Sequence, residues 1–156
     1  MTVKAVGYQW YWGYEYPDHG DFAFDSLMLD DDERGDQPRL LATDTAMVVP
    51  VDTTIRVVVT GADVLHSFAM PAFGLKIDAI PGRLNETWFK ANKTGTFYGQ
   101  CSELCGIRHA FMPIRIEVVE KEAFASWVEK AQEEYAEIDS SNGQFAGLQN
   151  LTTPRQ

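Results

Sequence analysis

Two cysteines, a histidine and a methionine fall within the twelve residues from Cys101 to Met112, in the stretch GQCSELCGIRHAFMP. They include the only cysteines in the 156-residue chain. The array C-x3-C-x3-H-x2-M gathers sulfur and nitrogen donors in one short segment. A Cys101–Cys105 disulfide needs a sharply turned loop, and closing so short a loop constrains the unfolded chain little. A second histidine, His66, lies far upstream in DVLHSFAMP. Two cysteines and two histidines make a tetrahedral zinc set, but that leaves Met112 without a role. Thioether sulfur beside His and Cys favours copper. A blue-copper site takes one Cys, two His and a weak axial Met, so this chain holds one Cys too many. The surplus thiolate suits two bridged copper ions with one histidine on each. Met112 would then be a weak ligand to one copper, and a backbone carbonyl between the cysteines a weak ligand to the other. An electron shared between two metals spreads its bond-length changes over many bonds, which favours electron transfer. From the residues alone, a disulfide, zinc, copper and two idle thiols all stay open. His19, in YPDHGD, reads as a surface histidine, and Met70 as a core residue.

The elements that must hold these donors are β-rich. In AVGYQWYWGYEY (5–16), alternation puts Tyr8, Trp10, Trp12, Tyr14 and Tyr16 on one strand face and Gln9, Tyr11 and Glu15 on the other. Further strands are expected at 22–29, 46–51, 53–60, 84–90, 94–100 and 113–119, separated by Gly, Pro and Asn. Many short strands without alternating helices indicate an antiparallel sandwich or barrel. The cysteine loop lies between two of these strands, where a β scaffold can hold it rigidly. One helix is expected at about 120–137, with Phe124, Trp127, Val128, Ala131 and Tyr135 at helical spacing. Residues 1–137 then form one domain and 138–156 a polar tail.

The formal charge is −10 and the pI about 4.6, which argues against nucleic acid as a partner. An acidic surface fits a basic partner or simple solubility. No run of eighteen apolar residues spans a membrane, and the first residues lack a signal peptide's apolar stretch. The chain opens almost directly on a strand pattern, as expected for a soluble fragment of something longer.

The loop GQCSELCGIRHAFMP resembles the copper loop of the cytochrome c oxidase subunit II family. QWYWGYEYP, RLLATD, DVLHSFAMPAFGLKIDAIPGRLN and FMPI are similar to that family in the same order, over roughly residues 6–130. The resemblance implies an all-β, cupredoxin-like Greek-key β-sandwich with a C-terminal helix, carrying a binuclear copper (CuA) centre. It implies Cys101 and Cys105 as bridges, His66 and His109 as terminal ligands, and Met112 and the Glu103 carbonyl as the remaining ligands. It adds magnesium through the Glu103 carboxylate at a contact with subunit I, since carboxylates with waters suit that ion.

The implied function is to accept electrons from cytochrome c and pass them to haem in subunit I. The chain would act as part of an oxidoreductase and translocase of the respiratory chain, without reducing oxygen by itself. Electrons would enter at Trp10. Tyr11 and Asp63 would help dock a basic donor, with Asp25 and Asp30–Asp32 as weaker candidates. Asp78 and Arg83, in DAIPGR, would face subunit I. The family's two N-terminal membrane helices are missing, so the domain would stand on the outer face of a bacterial inner membrane (periplasm) or a mitochondrial one (intermembrane space). The sequence departs from the family where Arg108 stands for a common Asn, where Ile107 replaces a residue that is often small or polar, and at Phe68 and Met70. A copper carrier needs neither Met112, QWYW nor DAIPGR. The copper domain of nitrous-oxide reductase shares the ligand loop, but QWYW and DAIPGR favour the oxidase.

Overall fold

Side chains two residues apart share a strand face, and the alternating segments fold accordingly. Ile55, Val57 and Val59 are all fully buried on one strand. The computed structural model describes residues 1–141. In chain order its strands are β1 (Thr2–Tyr8), β2 (Tyr11–Tyr16), β3 (Phe22–Ser26), β4 (Met47–Pro50), β5 (Thr54–Gly61), β6 (His66–Met70), β7 (Leu75–Ala79), β8 (Asn85–Lys90), β9 (Gly95–Cys101) and β10 (Pro113–Val119). They form two five-stranded sheets, ordered β3-β2-β1-β5-β8 and β4-β10-β9-β6-β7. Between the sheets lies an apolar core that includes Val3, Trp12, Tyr14, Phe68, Met70, Ile114 and Ile116. This is the expected all-β, cupredoxin-like sandwich with a C-terminal helix.

Three local expectations change. The sheets are mixed rather than purely antiparallel, because β1 runs parallel to β5 and β4 parallel to β10. The aromatic run is a hairpin rather than one strand. Its turn falls at Gln9–Trp10, a cis peptide, and β1 and β2 then pair with Tyr8 opposite Tyr11. Trp12, Tyr14 and Tyr16 are fully buried, but Tyr8 and Tyr11 stack on each other, their ring centroids 4.7 Å apart. The turn reverses the chain, so the alternation does not run through it. The β6–β7 hairpin adds two strands to the expected set. All five residues of β6 are buried, so no contrast between faces marks it in the sequence.

The helix α1 spans Lys121–Ser141 and packs against β3 and β4, which are edge strands of the two sheets. Phe124 and Ala131 are buried. Trp127 lies against Tyr16, Phe22 and Phe24, at centroid distances of 5.1, 5.7 and 6.2 Å. The helix thus covers aromatic side chains that two sheets alone would leave open at their edges. His19 is not a plain surface residue: its ring meets Phe124 edge-on at 5.2 Å, and its Nε2 is buried. Of the expected polar tail, residues 142–156 lie outside the described residues.

Candidate metal centre

β9 ends at Cys101 and its antiparallel neighbour β10 begins at Pro113, with Pro113 opposite Gln100. The intervening loop is therefore pinned at both ends by one ladder. β6 pairs with β9 on the other side, with Phe68 opposite Cys101, and the Ser102 N–H donates to the Ser67 carbonyl at 2.9 Å. That register brings His66, at the start of β6, to the root of the cysteine loop. A 3₁₀ turn, His109–Phe111, returns the chain to β10 and leaves Met112 buried at its end.

The donors converge. Cys101 Sγ and Cys105 Sγ are 3.9 Å apart, far beyond the ~2.05 Å of a disulfide, and both cysteines are free thiols. His66 Nδ1 is 3.9 Å from Cys101 Sγ, and His109 Nδ1 is 3.5 Å from Cys105 Sγ. Met112 Sδ lies 3.5 Å from Cys105 Sγ, and the Glu103 carbonyl oxygen 3.3 Å from Cys101 Sγ. His66, Cys101 and Cys105 form a buried group whose ligand atoms lie within 4.8 Å of one another, close enough to hold a metal ion. The sulfur-rich set with two imidazoles fits copper better than calcium or magnesium, which take oxygen ligands.

The second layer orients the first. Asp63 Oδ1 is 2.8 Å from His66 Nε2, which leaves Nδ1 facing the thiols. The same carboxylate accepts the Val64 N–H at 2.6 Å and the Gln9 N–H at 2.7 Å. Burial alone would raise the Asp63 carboxyl, but these bonds outweigh it and hold the group below its usual range. Burial also opposes ionisation of Cys101, but the His66 ring and backbone hydrogen bonds at Glu103 and Ser67 bring that thiol down. Burial and the adjacent Cys101 push Cys105 up. Two thiolates this close repel, so without a metal only one ionises readily.

Trp10 is half-buried, and its indole N–H donates to the Cys105 carbonyl at 3.2 Å. Tyr11 lies beside it on the outer sheet face with Tyr8. Burial and the Asp25 carboxylate raise both phenols. Arg108 and Ile107 are exposed at the loop tip, Ile107 at 90%. The Glu103 side chain is exposed as well. Asp78 and Arg83 are not at the donor cluster. They line an open groove with Lys76, Ile80, Asn85 and Glu86, where Asp78 accepts from Ser67 Oγ at 2.9 Å and pairs with Lys76. Two residues of the site carry no chemical signal in the sequence. Gln9 donates its side-chain amide to the Cys105 carbonyl at 2.8 Å. Gly7 lies against His66, whose Cδ2 would be 2.8 Å from any Cβ placed there. Only the place of Gln9 beside Trp10 hints at either.

Comparison with known proteins agrees with this geometry. The family model described as cytochrome c oxidase subunit II, periplasmic domain, matches residues 1–119. The crystal structure of the periplasmic domain of subunit II of cytochrome oxidase of Bradyrhizobium japonicum is 69% identical. It has a TM-score of 0.83 and covers 86% of this chain and 95% of its own. A second structure holds subunit II of cytochrome c oxidase in a mixed disulfide intermediate with a thioredoxin-like protein. It is 68% identical, with a TM-score of 0.76, over 86% of this chain and 92% of that one. A probable cytochrome c oxidase subunit 2 of Rickettsia bellii is 59% identical over 129 residues, which is 82% of this chain and 48% of that protein. The chain thus spans about half the length of that relative. Among the described residues, no helix is long and apolar enough to cross a membrane. The fold, the buried sulfur–imidazole cluster and these matches agree: the chain belongs to the cytochrome c oxidase subunit II family, in its periplasmic domain.

Proposed function

We infer that this domain is the copper-bearing electron relay of a cytochrome c oxidase, taking single electrons from cytochrome c and passing them to haem in subunit I. The observation that carries this is the convergence of His66 Nδ1, the thioether of Met112 and the half-exposed His109 Nδ1 on a buried pair of free thiols. A zinc site would use the thiols and imidazoles but leave Met112 Sδ idle at 3.5 Å from Cys105 Sγ. A structural disulfide would use only the thiols. Copper, when bound, supplies a one-electron couple; Cys101 and Cys105 would bridge two ions. His66, His109, Met112 and the Glu103 carbonyl would complete the set.

The remaining roles belong to the chain. Asp63 fixes the His66 ring so that one nitrogen faces inward. The β6–β9–β10 ladders hold the loop rigid, which keeps rearrangement small when charge changes. Trp10 touches the loop through the Cys105 carbonyl and is half-exposed, which supports its role as the point where electrons arrive. Tyr11 is the next residue in the chain, the carboxylates of Asp25 and Asp63 lie near Tyr11, and together these groups would steer a basic donor. Asp78 and Arg83 line a polar groove that would face subunit I. Separately, the exposed Glu103 carboxylate on the cysteine loop would share a magnesium ion with that subunit. When oxidised to a disulfide in the absence of metal, the cysteine pair would be a substrate for a thioredoxin-like dithiol, whose thiolate attacks one sulfur and displaces the other; a related subunit II is captured in a mixed disulfide with such a protein. The domain would work on the outer, periplasmic side of its membrane.

The test is copper per chain with an electron paramagnetic resonance spectrum of the oxidised domain. Two coppers sharing one unpaired electron are expected. One copper with a localised signal, or none after reduction and reloading, refutes the binuclear centre.

A further inference from the structure

Gln9 is an exposed residue at a hairpin turn, yet its backbone N–H and its side-chain amide nitrogen both donate inward. Its side-chain Nε2 donates to the Cys105 carbonyl at 2.8 Å, across 96 residues of sequence. Its backbone N–H donates to Asp63 Oδ2 at 2.7 Å, across 54 residues. Asp63 in turn holds His66 Nε2 at 2.8 Å. A single residue therefore ties together the two loops that bring the metal donors: 62–66, with His66, and 101–112, with the cysteines, His109 and Met112.

The contact is tight as well as polar. Gly106, the residue after Cys105, sits at φ +122°, and a Cβ there would lie 3.1 Å from Gln9 Nε2 and 2.9 Å from Trp10 Cζ2. The Cys105 carbonyl thus receives two donors, from Gln9 and from the Trp10 indole, which matches its two lone pairs. Fixing that carbonyl fixes the plane of the 105–106 peptide, and so the direction in which Cys105 leaves the backbone. Of the two donors, the Gln9 amide is the shorter and has no other partner among the described residues.

We propose that Gln9 is a positioning residue of the metal centre, which clamps the cysteine loop through its side chain and the His66 loop through its backbone. This rests on the copper function inferred above. It differs from a docking role for a residue beside Trp10, because a docking residue acts only when a partner protein is present.

The test uses Gln9→Leu and Gln9→Glu in the full chain without any partner. Neither change touches a buried side chain, so both variants should fold. In the metal-free, reduced protein, the Cys105 carbonyl carbon and the Gly106 amide resonances should move in both variants. In the copper-loaded protein, release of copper to a chelator should quicken about fivefold in Gln9→Leu, the effect of losing one net hydrogen bond. It should quicken more in Gln9→Glu, where a carboxylate would face the carbonyl, and the copper hyperfine pattern should change in both. Resonances and release rates equal to wild type overturn the assignment. Moved resonances with an unchanged release rate overturn it too, since the bond would then not position the metal loop. If the wild-type chain takes up no copper, the copper function falls, while the metal-free resonances still decide whether Gln9 holds Cys105.

Discussion

Replacing Gly7 with Ala is a sharp test of how rigidly His66 is held. Gly7 lies on β1 outside the left-handed region, so its backbone accepts Ala without strain. In the unfolded chain, Ala has fewer conformations to lose, which favours folding by about 0.4–1 kcal/mol. Against that stands the ring of His66. A Cβ at residue 7 would lie 2.8 Å from its Cδ2, 2.9 Å from Cγ and 3.0 Å from Cβ. Carbon atoms in contact prefer roughly 3.5–4.0 Å, so the ring must retreat by about half an ångström or more. It has little room to do so. His66 is fully buried, Asp63 holds Nε2 at 2.8 Å, and Trp12 meets the ring edge-on at 6.1 Å. Overpacking of this kind costs about 1–3 kcal/mol, which exceeds the entropy gain. The net loss, about 1–2 kcal/mol, should lower the melting temperature of the metal-free, reduced domain by roughly 2–8 °C. The copper-loaded variant should also show a changed paramagnetic spectrum, because the displaced ring carries Nδ1 with it. A melting temperature at or above wild type, with an unaltered spectrum, would mean that the ring yields freely and that the steric argument is wrong.

Met112→Leu conserves volume at a buried site, so the fold and copper uptake should persist while potential and spectrum shift; complete loss of copper would contradict a weak-ligand role. Tyr16→Phe removes a buried hydroxyl that donates to the Val48 carbonyl at 3.0 Å and accepts from the Val48 N–H at 2.9 Å. It should cost about 1–3 kcal/mol in urea unfolding, and a loss near zero would show that Val48 finds other partners. Asp25 is raised by burial and by the Asp44 carboxylate, so its folded pKa exceeds its unfolded one. Its ionisation therefore weakens the fold as pH rises through that window. Asp25→Asn should be the more stable protein near neutral pH, with the difference fading below about pH 4. Equal melting temperatures at both pH values would refute this, and docking of a basic donor should slow in the same variant.

The ligand types were legible because chemistry restricts them: few arrays hold two cysteines, a histidine and a methionine within twelve residues. The same holds for the amphipathic strand β5 and for the face of α1 that carries Phe124 and Ala131, where period and burial agree. A period-2 pattern cannot announce a reversal, so the alternation runs unbroken across the tight turn at Gln9–Trp10 and looks like one strand. Nor can it mark β6, whose two faces are both buried. Residue type is silent about Gly7 and Gln9 for a further reason. Gly7 matters through the space it leaves for a ring 59 residues away, and Gln9 through bonds spanning 54 and 96 residues. Sequence by itself thus determined which atoms can hold a metal. Only the tertiary structure decided how those atoms are aimed, because aim depends on contacts between segments that no local spacing records.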